Sequence, residues 1–420
     1  MLTKNGTTAL LLVLCLLLGS MTGCASPKAT AASLTEGITA NTVDTQGALT
    51  EEALKAARDF ATALWHESLA KEGENTLVSP LSVFLALGMT ANGAQEDTLS
   101  AFQNVLGLPL DTLNLVSRAL AEKLMGVSGS TILHIANSIW YDEDFQAHEE
   151  FLQTNVDYFD AAAYQAPFRK AETVTMINNW VKDRTQGLIP DIIDRLDPAN
   201  VMVLVNTLYL NAKWQQQFDP ADTDQGNFTL CDGSTVAVDF MSNDVRPEQV
   251  LSHQGAQGVL LPYDDDQLAY IAVLPPAGMT ANQYAATLNG DAFSDLLASA
   301  QEEKILLLLP KYASEYDITL NEGLKRLGLA RAFDPELADF GRMGTAGNDL
   351  FISQVIHKTR IEVAEKGTEA AAATGVVMDI TSALLDDYRT IAFNRPFVYA
   401  VVDLDTGLPL FLGVLANPVN

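Results

Sequence analysis

The residues that most often carry chemistry are thinly spread in this chain. Its five histidines, His66, His134, His148, His253 and His357, show none of the short spacings that place two ligands on one metal ion, so no metal is expected. There is no His-Glu-x-x-His zinc helix, no Gly-x-x-x-x-Gly-Lys-Ser/Thr phosphate loop and no Gly-x-Ser-x-Gly nucleophile turn. A serine, a histidine and an aspartate gathered from distant segments leave no sequence pattern, because such triads are defined by geometry, and that arrangement stays open.

One segment has unusual chemistry of a different kind. Residues Glu365 to Asp379 read Glu-Lys-Gly-Thr-Glu-Ala-Ala-Ala-Ala-Thr-Gly-Val-Val-Met-Asp. Glu369 and the alanines Ala370, Ala371, Ala372 and Ala373 favour helix, Gly367 and Gly375 interrupt it, and Val376-Val377 favours strand. At period two, Thr368, Ala370, Ala372, Thr374, Val376 and Met378 carry no charge, whereas Glu369 and Asp379 fall in the alternate set. Such a segment can lie as a strand with one uncharged face, and its small side chains would let it pass between two existing strands. Taken alone, it fits an alanine-rich surface helix equally well.

The elements around this segment alternate between helix and strand patterns. Thr50 to Ala70 reads as a helix, with Glu51 and Glu52 in its first turn and Ala53, Ala57, Phe60 and Leu64 on one face. Ser79-Pro80 reads as an N-cap and first-turn proline opening a second helix through Met89. Val201 to Leu210 is a continuous apolar run, the mark of a strand buried on both faces, and Asn206 inside it demands a hydrogen-bond partner. Leu268 to Leu274 and Ile305 to Leu309 read as further strands, and Val398 to Val402 and Leu410 to Leu415 flank Asp405-Thr406-Gly407 as a terminal hairpin. Helices dominate early and strands late, which predicts an α+β fold in a single large domain.

Several stretches of the same chain resemble the serpin family. The hinge Glu365-x-Gly367-Thr368-x-Ala-Ala-Ala-Ala-Thr374 is similar to the reactive-loop hinge of inhibitory serpins. Asn75-Thr76-Leu77-Val78-Ser79-Pro80-Leu81-Ser82-Val83 resembles the entry to the family's second helix, and Val205-Asn206-Thr207-Leu208-Tyr209 with Lys213-Trp214 resembles its central strand. Phe393-Asn394-Arg395-Pro396-Phe397 and Pro409-Leu410-Phe411-Leu412-Gly413 resemble its C-terminal signature. The resemblance implies helices around a central mixed sheet, an exposed reactive-centre loop, and irreversible inhibition of a serine protease by loop cleavage and insertion rather than enzymatic activity. It assigns Ser79, Ser82, Asn206 and His357 to a polar cluster, the shutter, beneath the sheet, and Trp214 to the breach at the sheet's top. The family's usual spacing from Glu365 places the cleaved bond between Thr381 and Ser382, with Met378, Ile380 and Leu384 as neighbouring alternatives. No lysine or arginine occurs between Gly367 and Tyr388, so the implied target is an elastase-like or other small-pocket protease, not one requiring a basic residue. The competing reading is a serpin-fold binding module, or surface lipoprotein, that never inserts its loop.

Composition sets the surroundings. With 53 acidic against 25 basic residues the net charge is -28, which repels nucleic acid and anionic membrane surfaces. Lys4 followed by the apolar run Ala9 to Leu18 reads as an export signal over residues 1–23, too short to span a bilayer. Met21-Thr22-Gly23-Cys24 resembles the lipobox of bacterial lipoproteins, which implies lipid attachment at Cys24 and membrane contact through the lipid alone. Residues 24–48 then read as a flexible tether rich in small and polar residues, and 49–420 as the folded domain. The expectation is an exported, extracellular or cell-surface monomer with no cofactor.

Overall fold

The computed structural model describes residues 31–187, 189–197, 199–345, 350–368 and 388–419. Ala31–Asn420 make up one compact unit. Helix α1 (Glu51–Ser68) starts where its acidic first turn predicts: the Thr50 side chain accepts a hydrogen bond from the Ala53 amide at 3.2 Å. Helix α2 (Pro80–Ala91) is buried at every residue, so it runs through the interior and not along a surface. Ser79 does stand at its N-cap, but the side chain makes no capping bond, because its hydroxyl is drawn into the polar cluster described below.

Among the described residues the main sheet has seven strands: β1 (Ala32–Ser33), β2 (Ile132–Tyr141), β3 (Ala162–Gln165), β4 (Met202–Lys213), β5 (Tyr312–Thr319), β6 (Gln354–Ala364) and β7 (Gly367–Thr368). Across the sheet they run β1-β3-β2-β4-β7-β6-β5, with β4 and β6 also paired directly. The apolar run expected from Val201 to Leu210 is extended by Asn211, Ala212 and Lys213, since the ladder with β2 continues to Asn211 and β7 pairs with the last two. A second, ten-stranded sheet contains the Leu268–Leu274 strand as expected. Its Gln301–Pro310 strand starts earlier than apolar character alone suggests, because exposed Gln301 to Lys304 still pair with the Arg246–His253 strand.

Residues 31–48 depart from the expected tether. β1 adds to the outer edge of β3, and the Leu34 amide donates to the Ala163 carbonyl at 2.8 Å. Asn41 donates from its backbone and side-chain nitrogens to Asp157, at 2.7 and 3.0 Å, and Thr45 donates to Glu122. Leu34 and Ile38 pack against the core. An exposed strand edge offers unpaired backbone groups, and two residues suffice to take them up, too few to register as hydrophobic periodicity. Residues 24–30 lie outside the described residues. Among the described residues no helix is long and apolar enough to cross a membrane.

The terminal hairpin, Phe397–Asp403 with Leu408–Leu415, forms the floor of the interior on the second sheet's side. Tyr399 is paired across it with Gly413, and a Cβ on residue 413 would stand 2.3 Å from the Tyr399 ring. The missing side chain at Gly413 therefore makes room for a fully buried tyrosine. Gly413→Ala is expected to lower stability by about 1 to 3 kcal/mol through overpacking, readable as a fall in thermal midpoint with the far-ultraviolet circular dichroism unchanged.

Candidate functional site

The buried amide in β4 finds its partners in one row across three strands. Asn137 of β2 pairs with Asn206 of β4 in the antiparallel ladder, and Asn206 pairs with His357 of β6 in the parallel one. Asn206 Nδ2 donates to Asn137 Oδ1 at 2.5 Å; its Oδ1 accepts from Ser82 Oγ at 2.7 Å and lies 2.8 Å from His357 Nδ1. The other ring nitrogen, Nε2, accepts from the Ser79 amide at 2.9 Å, and Ser79 Oγ lies 2.9 Å from Ser82 Oγ. Next to the row, Thr359 donates to the Leu77 carbonyl at 2.7 Å. The structure thus brings together all four residues assigned to the shutter. It adds Asn137, whose only sequence signal is a polar residue at the position that the β2–β4 register sets opposite Asn206.

These bonds fix the histidine chemically. With Nε2 accepting, the proton sits on Nδ1 and donates to Asn206, so the ring is neutral. Desolvation pushes the His357 pKa down to about 3, and the Ser79 N–H aimed at Nε2 opposes a second proton in the same direction. Neither ring nitrogen faces a serine hydroxyl or a carboxylate, and the ring is 0% exposed. The row is therefore not a catalytic triad. Of the other histidines, His66 meets the Ala285 carbonyl, His134 stacks on Tyr209 and His148 meets the Arg342 carbonyl, each in a separate place. Among the described residues no group of acidic, histidine or cysteine side chains could hold a metal ion.

The hinge lies at the other end of β4 and β6. After Ala364 the chain turns at Glu365 and Lys366 and lays Gly367 and Thr368 between the two strands, antiparallel to both: Thr368 opposite Ala212 and Val363, Gly367 opposite Lys213 and Ala364. Only glycine fits the first position. At φ +154° a Cβ on residue 367 would stand 2.0 Å from the Ala212 carbonyl oxygen and 2.6 Å from Lys213 Cα. Thr368 lies within the sheet and is 1% exposed.

Trp214 grips this turn. Its indole Nε1 donates to the Ala364 carbonyl at 2.8 Å, its amide donates to the Lys366 carbonyl at 3.0 Å, and the Phe218 amide donates to the Glu365 carbonyl at 3.0 Å. The indole stacks on Tyr263 with centroids 4.9 Å apart. Glu365 is held by Lys311 at 2.9 Å and by the Thr223 hydroxyl at 3.1 Å. Partial burial disfavours its ionised form, but these partners outweigh it and keep the carboxyl below its ordinary range. Lys311 and Tyr263 carried no sequence signal, lying on strands and turns far from the hinge in the chain. Glu369, Ala370, Ala371, Ala372, Ala373, Thr374, the Thr381–Ser382 bond and Cys24 lie outside the described residues.

Between the row and the hinge, β4 and β6 are a pair of strands joined at both ends. Direct pairing runs from Val203 to Asn206 against Gln354 to His357, and β7 joins the strands at Ala212 and Val363. Among the described residues no ladder pair joins 207–211 to 358–362. Among the described residues the seam is thus interrupted between the row and the hinge, with Gly367 and Thr368 seated at its hinge end.

The chain belongs to the serpin family: the serpin (serine protease inhibitor) family model matches residues 55–418. It is 30% identical to an uncharacterized serpin-like protein of Thermococcus kodakarensis over 87% of this chain and 85% of that protein, and 28% identical to human neuroserpin over 87% and 91%. Among solved structures it is similar to the thermophilic serpin tengpin, 37% identical, in its native state, covering 93% of this chain and all of that one with a TM-score of 0.85. The latent state of tengpin aligns with a TM-score of 0.76. Members of this family are generally inhibitors of serine proteases rather than enzymes, and the fold is that of a serpin in a single α+β domain.

The shutter row has a pH signature. The His357 pKa is depressed below its unfolded value of about 6.5, so the neutral ring's contribution to stability is fully present above about pH 6.5 and declines as pH falls toward about 3. The thermal midpoint is expected to fall between about pH 7.5 and pH 5, with a flatter dependence in His357→Gln, which starts from a lower midpoint. Parallel curves for the two proteins would contradict the assignment.

Proposed function

We propose that this chain is a suicide inhibitor of a small-pocket, elastase-like serine protease. The observation that carries the reading is the seated hinge: Gly367 and Thr368 occupy the seam between β4 and β6 in the orientation an inserting strand needs. The higher TM-score with native than with latent tengpin supports a resting form whose loop remains available.

Insertion of the reactive loop as an added strand is a known serpin property. In the first step the protease's serine Oγ attacks the Thr381 carbonyl carbon, the Thr381–Ser382 peptide bond breaks, and the Ser382 nitrogen leaves carrying a proton. The loop's N-terminal part, now ending in an ester to the protease, is free to continue β7. Insertion that continues the register of β7 would place each following residue in turn. Thr374 stands as far beyond Thr368 as Asn206 stands before Ala212 and His357 before Val363, so Thr374 arrives between Asn206 and His357. It delivers a hydroxyl to the two groups whose mutual bond must part. About a dozen residues gaining roughly 0.5 to 1.5 kcal/mol per hydrogen bond give on the order of 10 kcal/mol. That is comparable with the roughly 5 to 15 kcal/mol stability of a protease domain, enough to distort an active site dragged against the sheet.

The target class rests on the bait, which offers Thr381 with Ile380 and Val377 nearby and no basic residue between Gly367 and Tyr388. The export reading rests on the first residues: Lys4, the apolar run Ala9 to Leu18 and the lipobox-like end at Cys24 support a cell-surface, lipid-anchored bacterial inhibitor.

Two measurements test this. Protein lacking residues 1–24, mixed with pancreatic or neutrophil elastase, is expected to give a complex stable to denaturing electrophoresis and a released peptide starting at Ser382. Clean cleavage without complex would favour the binding-module reading, and rapid inhibition of trypsin with none of elastase would overturn the target class. Thr368→Arg places a charge at a position that is 1% exposed; it is expected to convert the inhibitor into a substrate, with cleavage retained and complex lost.

A further inference from the structure

The side chain that meets Thr368 inside the sheet is Tyr263. Their hydroxyls are 2.5 Å apart, and Tyr263 is 0% exposed. The phenol is positioned by groups that have nothing to do with its hydroxyl. Its ring lies parallel to the Trp214 indole, 6° between planes, its backbone bridges to Trp214, and its amide donates to the Leu268 carbonyl at 2.9 Å. The next amide, of Asp264, donates to the Lys213 carbonyl at 2.8 Å. The tyrosine is thus a fixed post, fastened to the same stretch of β4 that β7 pairs with, and its hydroxyl is presented at the one place where the loop's first inserted side chain arrives. Burial pushes the phenol's pKa up, so it stays a neutral O–H at any physiological pH.

We propose that Tyr263 is a positioning residue for capture: by pinning Thr368 between β4 and β6 it keeps the first ladder pairs of the inserted strand formed before a protease arrives. This rests on the inhibitory reading above and adds to it the step that decides its yield. Once acylated, the protease is either trapped by insertion or released by hydrolysis of the ester, and the faster path wins. Starting a strand is the slow part of growing it, because the first residues lose their freedom before the ladder repays them. A pinned Thr368 removes that step. Without the phenol hydroxyl, the Thr368 hydroxyl is a buried polar group without its partner, and leaving the sheet for water becomes favourable.

The test uses Tyr263→Phe, which keeps the ring on Trp214, and the double variant Tyr263→Phe with Thr368→Val, which removes the stranded hydroxyl at nearly constant shape. In the resting protein, amide exchange over residues 366–369 is expected to rise about two- to tenfold in Tyr263→Phe, the factor one hydrogen bond represents, and to return toward wild type in the double variant. With elastase, the moles of inhibitor consumed per mole of protease trapped are expected to rise in Tyr263→Phe and fall again in the double variant, with the rate of loop cleavage unchanged. A merely structural loss would not be rescued by Thr368→Val. Unchanged exchange and stoichiometry in Tyr263→Phe overturn the proposal, and raised exchange with unchanged stoichiometry overturns the role in capture. If wild type traps no serine protease, the inhibitory reading falls, and the exchange measurement alone decides whether the pin exists.

Discussion

The main sheet depends on one buried amide. Asn206 sits in the middle of a strand that is apolar on both sides, and its oxygen and nitrogen are satisfied only because Asn137, Ser82 and His357 arrive from three other elements. In a low-dielectric interior such a network is strong when complete and costly when broken. It makes the closed sheet specific, since a register slip of one residue would strand Asn137, Asn206 and His357 at once. It also sets what opening requires: parting β4 from β6 separates His357 from Asn206, and whatever enters must satisfy both. The wholly buried α2 supplies Ser82 and, just before its first turn, Ser79, from an element that belongs to neither strand.

Hinge and row solve the same problem from opposite ends. At the row the strands are held by side chains. At the hinge they are held by backbone, through a glycine with no Cβ to keep Ala212 at a distance and a tryptophan that bonds the turn on two sides, by its indole to Ala364 and by its amide to Lys366. Lys311 keeps Glu365 ionised where burial alone would discourage it, so the turn carries a fixed charge pair at its outer corner. The seam is therefore closed at its two ends by different physics, and an event at the hinge need not disturb the row until the loop reaches it.

Much of this was legible before any coordinates. An asparagine inside an apolar run announces a buried network, and Leu268–Leu274 needed nothing beyond its own pattern. The motif around Glu365 to Thr374 carries the resemblance to the family where local preference leaves helix and strand balanced. What stayed hidden has a common cause. Asn137, Tyr263 and Lys311 act on partners far away in the chain, and nothing local distinguishes a tyrosine that pins a loop from one that fills a core. The N-terminal segment was misread for a related reason: Ala32–Ser33 and Asn41 bind through backbone and single polar contacts, which leave no periodicity to detect.

The direction of β7 sets the pairing that a strand entering by the proposed insertion would make. β4 and β6 are parallel to each other, so a strand between them must be antiparallel to both if it enters as β7 does. Along 207–211 and 358–362, where no ladder pair joins the two strands among the described residues, an entering strand would add two antiparallel ladders, and only from Asn206 and His357 onward would it replace a parallel pairing, the less stable kind. The uncharged set Thr368, Ala370, Ala372 and Thr374 keeps charge off one face of the newcomer, and their small size removes the steric objection. On the proposed path the row is where the strands are directly paired, and the residue that would enter there, Thr374, carries a hydroxyl. The described end of the loop is matched to the sheet, with glycine where backbones nearly touch and threonine where a phenol waits; under the proposed insertion the alanines would follow along the seam and Thr374 would meet the histidine and the asparagine that must be parted.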